Sequence, residues 1–121
     1  MRTICVAVLA LFTALSMLAK PFEHGIIPEP AEVVKSGEGT FRLQRRTPIT
    51  VSDSSVAFEA RYLADYTDRY LGIPLSTAPT SAKQAVSLVN ANNGGTPGGY
   101  RLTVDAGDGV RIEGNDAAGV F

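Results

Sequence analysis

Tryptophan is absent from this 121-residue chain, cysteine and histidine occur once each, and 11 Lys plus Arg stand against 12 Asp plus Glu. Each shortage excludes something. The near-neutral balance leaves no basic stripe for nucleic acid, and no nucleic-acid motif accompanies it. The one thiol, Cys5, falls inside an apolar N-terminal run, so the rest of the chain offers no disulfide, thiolate metal site or cysteine nucleophile. The one histidine, His24, stands beside Gly25 without a second histidine at metal-ligand spacing. It reads as a solvated or structural residue. No catalytic residue, cofactor site or metal site is expected within these residues.

What is present begins with a leader. Arg2 precedes the run Ile4 to Leu15, which only Thr13 interrupts, and fifteen of the first nineteen residues are apolar. The run is shorter than the roughly 20 residues of a spanning helix, and Lys20-Pro21 closes it. Residues 1–19 are therefore expected to be a secretory signal peptide, with an uncleaved anchor as the lesser alternative. Ala19 suits a cleavage site, whereas Met17 is large for its position, so the cut is not fixed by the sequence. The expected location is periplasmic or extracellular, with no membrane contact after cleavage. The remaining length allows one domain with a modest core.

Residues 20–38 hold three prolines and read as an extended segment. From residue 39 the pattern becomes α+β: a small, mainly antiparallel sheet with one long helix packed on one face. Phe41 and Leu43 alternate with polar residues, as do Ile49 and Val51, which predicts two short strands around Arg45-Arg46-Thr47-Pro48. Ser54 to Leu71 predicts a helix about 27 Å long, with Asp53, Ser54 or Ser55 as N-cap and Gly72 ahead of Pro74 as its stop. Val56, Ala60, Leu63, Thr67 and Leu71 form the stripe expected to face the sheet. Tyr62, Tyr66 and Tyr70 flank it at four-residue steps. Leu75 onward reads as a polar connector. Ala85 to Val89 reads as a buried strand, Asn90 to Gly99 as a loop, and Tyr100–Val104 with Val110–Ile112 as a hairpin. Asn115 or Asp116 then caps what reads as the first turn of another helix at Ala117.

Candidate chemistry is thin. The glycines of 94–99 and Gly107-x-Gly109 lack the Lys-Ser/Thr of a phosphate cradle and lead into strands, so they read as turns. Ser54, Ser55 and Ser81 have no histidine partner for a hydrolase triad. Twelve acids on a small domain will place some pair at glycosidase spacing by chance alone. Arg45-Arg46 reads as a solvated turn. The three tyrosines read either as a packing surface or as a platform for the apolar face of a sugar.

The order of short motifs says more than any of them singly. Ile26-Ile27-Pro28-x-Pro30, Gly39-x-Phe41-x-Leu43, Thr47-Pro48-Ile49, Ala60-x-x-Leu63, Gly72-Ile73-Pro74-Leu75, Gly99-Tyr100-x-Leu102-x-Val104, Gly109-Val110-x-Ile112-x-Gly114 and Ala118-Gly119-Val120-Phe121 follow in one register. From about Gly25 to Phe121 that register resembles the N-terminal, zincin-like domain of family 20 glycoside hydrolases, the β-N-acetylhexosaminidases. The resemblance implies an exported exo-glycosidase that removes terminal N-acetylhexosamine from glycans or chitin fragments. It also implies a (β/α)8 barrel after this domain, where an Asp-Glu pair would support attack by the substrate's own acetamide. No Asp-Glu dipeptide occurs here, so the chain is expected to be a non-catalytic support domain, inactive alone, that stops before its barrel. Its partners would be that barrel and, for the whole enzyme, the glycan. The alternatives are a free-standing carbohydrate-binding or interaction module, or the same domain attached to another glycosidase such as an α-glucuronidase.

Overall fold

A computed structural model describes residues 25–27, 29–78 and 82–121. The expected leader 1–19, His24 and Ser81 lie outside the described residues. The chain divides between Ser36 and Gly37. The described residues before that point, which belong to the segment expected to be extended, contain no helix or strand.

In the second unit, strand β1 (Pro48–Val51) leads through a 3-10 turn at Ser54–Val56 into helix α1 (Ala57–Leu71). Strands β2 (Ser76–Thr77) and β3 (Ala85–Asn90) follow, then β4 (Tyr100–Asp105), β5 (Gly109–Gly114) and a one-turn helix α2 (Ala117–Val120). The class is α+β, as the alternation of patterns indicates. The sheet order is β2-β1-β3-β5-β4. Its first three pairings are parallel and only β4 with β5 is antiparallel, which corrects the expectation of a mainly antiparallel sheet. Helix α1 returns the chain to its starting edge, so β2 can run parallel to β1. Strand β5 runs parallel to β3 because the chain reaches the far edge as β4 first and then turns back between β4 and β3.

The expected strand at Phe41–Leu43 does not form. A hairpin through Arg45-Arg46 would need a free edge on β1, and β2 and β3 occupy both. Leu43 packs against the core instead. The polar connector after Leu75 supplies β2, whose two residues are too short and polar to give a strand pattern.

Ile49, Val56, Ala60, Val86, Leu88 and Val120 make the core beneath α1. Ile49 and Val56 are fully buried, each contributing roughly 1.5–3 kcal/mol by removal from water. Thr67, also on the buried stripe, donates its hydroxyl to the carbonyls of Leu63 and Ala64 at 3.0 and 3.1 Å. That satisfies a polar group that would otherwise destabilise the core. Leu71, the last member of the expected stripe, is exposed. Four residues of β1 reach about 13 Å whereas the fifteen of α1 run about 22 Å, so the helix outruns the strand it packs on. Asp53 caps the 3-10 turn through the Ser55 amide, and Gly72 ends α1 at φ 65°. Among the described residues no helix is long and apolar enough to cross a membrane.

Candidate functional site

The tyrosines that recur every fourth residue fall on one flank of the α1 core stripe, and the structure joins them into a ladder. Phe58 stacks on Tyr62 and Tyr62 on Tyr66, both with centroids 6.4 Å apart. Tyr66 meets Tyr70 at 4.9 Å. Phe121, just past α2, tilts against Tyr62 at 5.3 Å. All five rings keep about half or more of their surface in solvent. Exposing so many aromatic faces in one row is costly and marks a surface made for contact.

Below the ladder lies a half-open cavity of about 210 Å³. Tyr62, Tyr66 and Phe121 form its rim, Leu88 and Ile112 rise from the sheet, and Glu59 enters from the first turn of α1. Glu59 Oε2 is buried and has no hydrogen-bond partner. Sequence reasoning did not single out Glu59, because an acid in the first turn of a helix ordinarily serves the helix dipole in water. Phe121 was also missed, since its approach to Tyr62 is made by the tertiary fold.

The other candidates are tied into the scaffold. Gly98 gives its amide to Asp116, Gly99 to Thr96, and Gly95 to Asn93 Oδ1, so this loop has spent amides that a phosphate cradle would need. Asn115 clamps the same loop, donating Nδ2 to the Thr96 carbonyl at 2.9 Å and accepting from Asn93 at 3.1 Å. Asp105 Oδ1 accepts the amides of Gly107 and Asp108 at 2.7 and 2.8 Å, chiefly Asp108 and then Gly107 holding its carboxyl below the ordinary value. Arg46 adopts φ 67° and donates its amide to Pro74, while Arg45 reaches the carbonyl of Gly72 at the C-terminal end of α1. The doublet thus fastens a turn to a helix end, where a cation is favoured. Ser55 accepts from Asn90 Nδ2 at 2.8 Å. Among the described residues no group of three His, Cys, Asp or Glu side chains is placed to hold a metal ion.

The described residues thus form a layer of helix on a mixed sheet, with an exposed aromatic wall along the helix. The model of glycosyl hydrolase family 20, domain 2, matches residues 23–121, and the chain belongs to that family. No curated protein matches it.

Proposed function

We propose that this chain is the non-catalytic support domain of an exported exo-β-N-acetylhexosaminidase, working beside a catalytic (β/α)8 barrel in the same polypeptide. The observation that carries the reading is the family match over residues 23–121, reached on a fold whose most prominent exposed feature is an aromatic wall. In this reading terminal N-acetylhexosamine is cleaved in the barrel, with the substrate's acetamide as nucleophile. The residues of this domain hold shape for it. Secretion to the periplasm or beyond follows from the leader pattern.

The test is direct. The 121-residue chain should release no chromophore from a nitrophenyl N-acetylglucosaminide above the blank, while the polypeptide extended through its barrel should turn it over. Enzyme-like turnover by the 121-residue chain would overturn the reading. An extended polypeptide that cleaves only an α-glucuronide would transfer the domain to the other glycosidase.

A further inference from the structure

The two edges of the sheet are not alike. Strand β2 ends one of them with two residues, too few to template another strand. Strand β4 leaves six residues along the other, all exposed, with no proline or lysine among them to deter a further strand.

The ladder fixes which backbone groups face that open edge. The Asn115 amide donates to the Gly99 carbonyl at 2.8 Å, and the Ala91 amide to the Gly114 carbonyl at 2.9 Å. Odd-numbered residues along β5 therefore bond toward β4 and even-numbered ones toward β3, and the odd-numbered residues of β4 answer them. The amides and carbonyls of Tyr100, Leu102 and Val104 point outward. Among the described residues no strand meets them there.

Two charges on β4 are left incomplete as well. Register sets Arg101 against Glu113, but Glu113 gives its carboxylate to Arg111 at 2.8 Å. Among the described residues Arg101 has no ion pair. Asp105 spends Oδ1 on the amides of Gly107 and Asp108, which leaves Oδ2 over. Both side chains stand on the face away from α1, with Thr103 midway between them.

A second β4 running antiparallel completes both the backbone and the charges. Outward groups must meet outward groups, so even-numbered residues pair with even-numbered ones. One register of this kind sets Leu102 against Val104 of the other copy. It brings Arg101 opposite Asp105 twice, with Cα atoms about 4.5 Å apart, and Thr103 opposite itself on the two-fold axis. Helix α1 packs over β1 and β3, so at least five strand spacings, about 24 Å, keep the two helices from colliding.

We propose that β4 is a self-pairing edge that joins two copies of this chain, antiparallel and centred on Thr103, with Arg101 of each copy on Asp105 of the other. The inference goes beyond the proposed function and does not depend on it.

The experiment uses the 121-residue chain with Cys5→Ser, which removes its one native thiol so that a single introduced cysteine reports. Under mild oxidation Thr103→Cys should give a disulfide-linked dimer, because facing residues on the axis fall within the reach of that bond. Tyr100→Cys should stay uncrosslinked, since its two copies lie about 20 Å apart along the strands. Sedimentation of the chain without either cysteine should show a monomer–dimer equilibrium. Arg101→Glu, which sets acid against acid twice, should weaken it by about tenfold or more with the far-UV circular dichroism unchanged. A chain that remains monomeric at high micromolar concentration, and yields no dimer through Cys at position 103, would overturn the proposal. Equal crosslinking from positions 100 and 103 would do so too, because it marks a parallel pairing or an association through another part of the chain. A dimer indifferent to Arg101→Glu would remove the charge register and the proposal with it.

Discussion

Gly98 donates its amide to both carboxylate oxygens of Asp116, at 3.2 and 3.1 Å, across eighteen residues of chain. The same carboxylate accepts the Gly119 amide at 2.9 Å and so caps α2. One side chain therefore fixes both where the glycine loop lies and where the helix begins.

Asp116→Ala removes the cap and the loop tie together. The loss should be about 1–2 kcal/mol by urea unfolding, in the range of a helix N-cap. Amide exchange at Gly98 and Gly119 should accelerate while that of β1 and β3 falls only with global stability. Unchanged exchange at Gly98 would show that the loop is held by other contacts.

Ile49→Ala should destabilise the chain by about 2–5 kcal/mol, since Ile49 is 1% exposed and its site is closed by α1 above and β3 beside it. The equivalent truncation at Leu71, 56% exposed at the end of α1, should cost a small fraction of that. Parallel urea curves for the two variants measure the contrast.

Gly72→Ala isolates backbone strain. No atom lies within 4 Å of the Cβ it would add, yet φ is 65°. The expected loss is about 1–2 kcal/mol, from the left-handed conformation alone. Gly119→Ala should be worse, because its Cβ would run into the carbonyl oxygen of Gly99.

Acid should weaken the fold through two turns. The Asp53 carboxyl is held below its ordinary value by the side chain and amide of Ser55 and then the hydroxyl of Ser52, and Asp105 by the amides of Asp108 and Gly107. As pH falls the unfolded chain takes up these protons first. The stabilisation is therefore complete above the ordinary carboxylate pKa of about 4 and lost as pH drops through the lower folded values. The urea midpoint should fall between pH 5 and pH 2, and Asp105→Asn should flatten that fall.

Local features were legible in the sequence and long-range ones were not. Helix α1 and its Gly72 stop could be read because a four-and-three spacing and a helix cap are properties of neighbouring residues. The β4–β5 hairpin was legible for the same reason. Nothing local says that β5 will insert between β3 and β4, so the direction of the sheet was misjudged. Phe41 and Leu43 alternate as a strand does, but whether an edge of β1 is free depends on where β2 and β3 go. At the candidate site the tyrosine row was visible from its spacing. Phe121 and Glu59 joined it only when the fold brought α2 beside α1.

The strand order also bears on how the chain is made. Residues 109–114 are translated after the other described strands yet sit between two of them, so β4 lacks its native neighbour in the sheet until Gly114 has left the exit tunnel. Until then Tyr100, Leu102 and Val104 are an unpaired apolar segment. That interval is when a nascent chain of this topology is most exposed to aggregation and to capture by a chaperone.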